Sequence, residues 1–85
     1  MSEIREKTKV MTYQMYNFIK EYTLAHLYPP TLNEIADYFN MKSYSGVQLY
    51  LKHLEKMGKI ELGKGARAIR LVGYKIVKAG GIDDN

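Results

Sequence analysis

The run Pro29-Pro30-Thr31-Leu32-Asn33-Glu34 constrains this chain more than any other stretch. Two prolines remove backbone donors and push the preceding residue out of helical geometry, so a helix arriving from the N-terminal side has to stop near His26. Thr31 and Glu34 then form T-x-x-E, a capping box in which the hydroxyl and the carboxylate each satisfy an orphan backbone donor. A second helix therefore begins at Leu32. It buries Ile35, Ala36 and Phe39 and ends near Asn40, a residue that tolerates the left-handed conformation. Ser43 or Ser45 caps a third helix, which turns Val47, Leu51 and Leu54 inward at i, i+4 and i+7, and Gly58 stands where a terminating glycine belongs.

Upstream of the prolines, Met11, Met15, Phe18 and Tyr22 recur at helical spacing with Ile19 beside them, one face of an amphipathic helix with Thr8 as its N-cap. Downstream of Gly58 the period changes to two. Ile60 and Leu62 alternate with Glu61, Ile69 and Leu71 alternate with Arg70, and the glycine-rich tip GKGARA lies between, which predicts a hairpin. Beyond Gly73 the sequence suggests a strand extension (Tyr74, Ile76) and then a disordered AGGIDDN. The predicted fold class is mainly α with a small β-hairpin, a three-helix winged helix-turn-helix. Residues 1–8 read as a flexible N-terminus, 9–73 as the folded domain and 74–85 as a tail.

At 85 residues and 9.8 kDa there is room for one core and no second active domain. Without cysteine there is no disulfide framework, thiolate metal site or thiol nucleophile. No apolar run approaches the ~18 residues that span a bilayer, and the polar start MSEIREKTK lacks a signal peptide's apolar stretch, so the expectation is a soluble cytoplasmic protein with no membrane partner. The net charge of +4 is unevenly spread: residues 42–78 carry nine Lys or Arg against Glu55 and Glu61, while residues 1–41 carry four against five acids. That asymmetry suggests a polyanion.

In a helix-turn-helix the second helix of the pair lays its first turns in the major groove of duplex DNA. At about 100° per residue, Ser45, Leu49, Lys52 and Lys56 lie opposite the buried stripe, with Gln48 on its shoulder. Gln48 suits adenine, Ser43 and Ser45 suit base edges or phosphate, and Leu49 suits a thymine methyl. Lys42, Lys52 and Lys56 suit phosphates, adding affinity through counterion release. Tyr44 either donates its hydroxyl to a phosphate or packs on the turn. Gly46 either allows close approach of backbone to DNA or lies in the turn before regular helix begins. Lys64 and Arg67 on the wing tip are candidates for the DNA backbone or minor groove. His26 and His53 lack metal-ligand spacing, and Asp83 and Asp84 sit in the tail, so neither an enzyme, a metal nor a cofactor is expected.

The stretches PPTLNEIADYFN and MKSYSGVQLYLKHLEKMGKIEL, with the wing's AIRL, resemble the N-terminal DNA-binding domain of the LexA repressor family over roughly residues 9 to 72. The anchors are Pro29, Pro30, Thr31, Glu34, Ile35, Ala36, Leu51, Leu54 and Lys56 through Ile60. The resemblance implies a three-helix bundle with a hairpin wing that recognises operators of the SOS type. The base-reading positions it implies are Ser43, Ser45, Gly46, Gln48 and Leu49. Gly46 and Leu49 depart from the polar or small residues expected there, and the wing is about a residue shorter than in some relatives. Family repressors also carry a C-terminal domain that dimerises and cuts its own linker with a serine and lysine pair. The sequence ends before such a domain, and the Ala79-Gly80 dipeptide is read as a coincidence or a remnant. The expected function is a small sequence-specific regulator of transcription binding double-stranded DNA, from a phage or other mobile element. The alternative is a protein-interaction module acting on a LexA-type repressor or RNA polymerase, to which the exposed Leu49 and the eight tyrosines lend themselves. A weak homodimer is a further expected partner.

Overall fold

The computed structural model describes the backbone of residues 6–74 and the side chains of residues 9–74. Three helices, α1 (Glu6–His26), α2 (Leu32–Phe39) and α3 (Tyr44–Lys56), precede two strands, β1 (Ile60–Leu62) and β2 (Ile69–Leu71). This is the winged helix-turn-helix arrangement. Ile76, the AGGIDDN tail and Ala79-Gly80 lie outside the described residues, and Tyr74 lies beyond the end of β2.

α1 begins at Glu6, so Thr8 lies within the helix and does not cap it. Its buried stripe is Thr12, Met15, Ile19 and Thr23, while Met11, Phe18 and Tyr22 are half-buried. The inward face is thus turned from the one the apolar residues mark. Thr23 can occupy the core because its hydroxyl donates to the Ile19 carbonyl at 2.7 Å, inside its own helix. The helix stops at Leu27, which takes a left-handed φ of 67° while its N–H bonds to the Thr23 carbonyl at 2.7 Å.

The capping box that starts α2 is formed on both sides. The Glu34 N–H donates to Thr31 Oγ1 at 3.1 Å, and the Thr31 N–H donates to Glu34 Oε1 at 2.9 Å. Asn40, with φ 57°, closes α2, and the next N–H, of Met41, bonds to the Ala36 carbonyl at 2.8 Å. Of the two serines, Ser43 is the cap of α3, its Oγ accepting from the Ser45 N–H at 3.2 Å. Gly46 falls inside α3, not in the turn before it. At the far end Gly58, with φ 78°, donates to the Glu55 carbonyl while Lys59 donates to that of Leu54, both at 3.0 Å. This reversal sends the chain into β1.

The hairpin is antiparallel, pairing Ile60 with Leu71, Glu61 with Arg70 and Leu62 with Ile69, and the Gly63 N–H closes its loop end on the Ala68 carbonyl at 3.0 Å. A two-stranded hairpin is marginal alone. Here Ile60, Ile69 and Leu71 are buried in the same cluster as Met15 and Ile19 of α1, Ile35 and Ala36 of α2, and Val47, Leu51 and Leu54 of α3. One core therefore holds all five elements, and it fixes the wing against α3.

Candidate nucleic-acid interface

With Val47, Leu51 and Leu54 buried, the opposite edge of α3 is left to solvent. Ser43, Ser45, Gln48, Leu49, Lys52 and Lys56 are all exposed, as is Lys42 in the preceding turn. Leu49 is 68% exposed, the highest value among the large apolar side chains described. Gln48 and Lys52 share a groove with Gly63, Gly65 and Ala66 of the wing loop, floored by Leu51 and Leu62. The outer edge of α3 and the wing backbone are therefore parts of one surface.

Several of the sequence-predicted residues have partners within the molecule. Ser43 Oγ and Ser45 Oγ lie 2.7 Å apart, so the two hydroxyls share one hydrogen bond at the entrance of α3. The Tyr44 hydroxyl donates to Asn33 Oδ1 of α2, a third option beside the phosphate or the turn. A Cβ at Gly46 would stand 3.0 Å from Met41 Cε, the flexible end of a side chain that can give way. Leu49 lines an apolar cleft with Met41, Gly46, Tyr50 and His53, rimmed by Lys52 and Lys56.

Arg67 requires the largest revision. Instead of reaching outward, its guanidinium folds back on the entrance of α2: Nη1 donates to the Pro29 carbonyl at 2.6 Å and to Glu34 Oε1 at 2.9 Å, and Nη2 donates to Glu34 Oε2 at 2.9 Å. The same group sits 4.4 Å from the centre of the Tyr28 ring. Its hydrogen-bonding edge is thus turned to the protein. The Arg67 fork, helped by the Thr31 N–H, holds the Glu34 carboxyl down to about 2, and Glu34 in turn raises the Arg67 pKa. Tyr22 beside them is pushed up, chiefly by burial. Lys64 and Arg67 line a second groove on the side of the hairpin toward Thr23 and Pro29.

Of the other basic residues, Arg70 pairs with Glu61 across the strands at 2.9 Å and Lys59 Nζ lies 5.3 Å from the centre of the Tyr16 ring. Among the described residues the ion pairs are Arg67–Glu34 and Arg70–Glu61, so Lys42, Lys52, Lys56 and Lys64 belong to none. All four residues are exposed. A run of rings starts with Tyr38 stacked on Phe18 at 4.3 Å, continues through Tyr22, His26 and Tyr28, and leads to Arg67. The sequence reading missed both this run and the Arg67 anchor. The i, i+4 aromatic spacings 18–22–26 were a usable signal for the first, whereas nothing local announces a fork spanning 33 positions. No group of three or more His, Cys, Asp or Glu able to hold a metal is found among the described residues, and none of their helices is long and apolar enough to cross a membrane.

The family model described as LexA DNA binding domain matches residues 12–68, from the second turn of α1 to the end of the wing loop. The chain belongs to the LexA DNA-binding domain family. It is 37% identical over 65 residues, 76% of the chain, to the LexA repressor of Desulfatibacillum aliphaticivorans. With the LexA repressor of Clostridium perfringens strain 13 it shares 44% over 57 residues, 67% of the chain, and with that of Colwellia psychrerythraea 42% over 72 residues, 84% of the chain. The matched segments cover 30%, 28% and 34% of those LexA repressors' own lengths, so the similarity concerns about a third of each relative.

Proposed function

We propose that the protein is a sequence-specific transcriptional regulator that binds double-stranded DNA with α3 in the major groove and the wing on the adjacent backbone or minor groove. The single observation that carries this reading is the shared surface of Gln48, Lys52 and the wing loop, with the free edge of α3 in front of it. Gln48, Ser45 and Leu49 address base edges, Ser43 and Gly46 allow the helix entrance to come close, and Lys42, Lys52, Lys56 and Lys64 neutralise phosphates. Arg67 and Tyr44 leave the list of direct contacts because their polar atoms are bonded inside the molecule. Residues 9–73 form the binding unit on this reading, which acts in the cytoplasm, on the nucleoid. The similarity to proteins named LexA repressor supports repression at SOS-type operators.

One module meets one half-site, and tight operator binding in such systems relies on two modules at fixed spacing. Self-association, or joint action with a LexA-type repressor, would supply the second. Fluorescence anisotropy against an SOS-type palindrome and a scrambled duplex, at two salt concentrations, tests the proposal. A preference well above tenfold for the palindrome, lost in Gln48→Ala and Ser45→Ala, is expected; equal affinity for both duplexes overturns it.

The apolar cleft around Leu49 favours one second reading, a module that docks on a LexA-type repressor or RNA polymerase without reading DNA. In that case Leu49→Ala abolishes partner capture while Gln48→Ala leaves it intact.

A further inference from the structure

We propose that Arg67 is a positioning residue of the wing: by gripping Glu34 and the Pro29 carbonyl it latches the hairpin to the entrance of α2, and thereby sets the wing loop beside Gln48 and Lys52. The inference rests on the DNA-binding reading for its functional consequence. Its structural half stands on the contacts themselves.

The hairpin strands are three residues each, and the apolar contacts that seat them, from Ile60, Ile69 and Leu71, lie along the strands and not at the loop. Six residues, 63–68, then form the loop, with Gly65 at φ 101°. A loop of this composition holds one orientation only if something beyond its own backbone ties it down. One backbone closure and one outward tie are present. The Gly63 N–H to Ala68 carbonyl bond closes the loop internally, and Arg67 connects it outward to residues 33 and 38 positions earlier. The outward tie resists pivoting in a way that a single bond cannot, because a planar guanidinium meets both oxygens of one carboxylate and a carbonyl, and also lies against the Tyr28 ring.

Glu34 is itself immobilised. Its Oε1 accepts the Thr31 N–H in the capping box, so the anchor belongs to a helix terminus fixed by Ile35 and Ala36 in the core. The wing is thus referenced to the same rigid body that carries α3. That arrangement accounts for an arginine on a basic wing facing inward while Lys64 remains outside the ion pairs.

The test compares wild type, Arg67→Lys, Arg67→Met, Glu34→Gln and the Glu34→Gln/Arg67→Lys double variant. Duplex affinity is measured across a series of salt concentrations, and amide hydrogen exchange is followed at Gly63 in the free protein. Lysine keeps the charge but cannot form the fork, and glutamine keeps the capping box but not the carboxylate. The expected result is that each single variant weakens duplex binding by roughly tenfold, leaves the slope of log K against log salt unchanged, and lowers Gly63 protection. The double variant is no weaker than either single one. Wild-type affinity in Arg67→Lys together with a slope reduced by about 0.9 in Arg67→Met would mean a direct phosphate contact and would overturn the latch. Wild-type behaviour in all variants would overturn it equally. If the wild-type protein binds no duplex, the functional reading fails by itself, and unchanged Gly63 protection in Arg67→Lys then rejects the latch independently.

Discussion

Glu34 accepts hydrogen bonds from the Thr31 N–H and from both Arg67 terminal nitrogens. Arg67 first, then the Thr31 backbone, hold its carboxyl down from an ordinary 4.5 to about 2. Since the unfolded chain binds this proton more readily than the folded one, the stabilisation is complete above about pH 4.5 and is lost as pH falls through 2. Thermal melts between pH 7 and 2 are expected to show the transition temperature dropping across that window. Arg67→Met should lower it at pH 7 and flatten the drop. Gly46 offers a second prediction. Alanine gains up to ~1 kcal/mol of helix propensity, and the atom its Cβ meets is the flexible end of Met41. Gly46→Ala is therefore expected to raise thermal stability while weakening duplex binding, measured on the same sample by melting and anisotropy. At this scale the exposure of Ser45, Gln48, Leu49 and Lys52 was legible from helical phase alone. The burial of Thr12 and Thr23 was not, because the 2.7 Å bond that lets Thr23 be buried is to a carbonyl of its own helix and leaves no trace in hydropathy.

Three helix ends use the left-handed region, at Leu27, Asn40 and Gly58. The last two residues adopt it readily, whereas a leucine there costs about 1–2 kcal/mol. Leu27 is 56% exposed, so little packing is lost on truncation. Leu27→Gly is expected to stabilise the fold by about 1 kcal/mol, read from urea denaturation. The contrast also marks what the sequence tells about elements. Asn40, Gly58 and the Thr31–Glu34 box state their roles locally, and the boundaries of α2 and α3 follow from them. Pro29 and Pro30 announce that α1 ends, but the residue that ends it is the one least suited to the conformation. The face of α1 was read only in part for a related reason. Phe18 and Tyr22 are apolar at the right spacing, yet they serve a half-buried aromatic run while Met15 and Ile19 carry the core.

Among the described residues a single cluster draws on every helix and both strands, so these five elements are expected to unfold together. Leu54 is fully buried at the junction of α3 with the hairpin. Leu54→Ala is expected to cost about 2–5 kcal/mol, a large share of the roughly 5–15 kcal/mol available to a domain. Circular dichroism and duplex binding should be lost together in denaturant. The overall architecture was legible because each helix end and the hairpin alternation are local patterns. The Arg67–Glu34 grip was not, because a contact between residues 33 positions apart exists only after folding.

α3 is bounded at one end by the Ser43 cap and at the other by the Gly58 reversal, and the hairpin leaves directly from that reversal. On the proposed reading the helix acts as an indexing shaft between the surface offered to a duplex and the arm beside it. Adding or deleting one residue within it would rotate the arm by about 100° and shift it by about 1.5 Å. On that reading, side chains along its free edge can change and alter which duplex is chosen, but a change in its count throws the two halves of the grip out of phase.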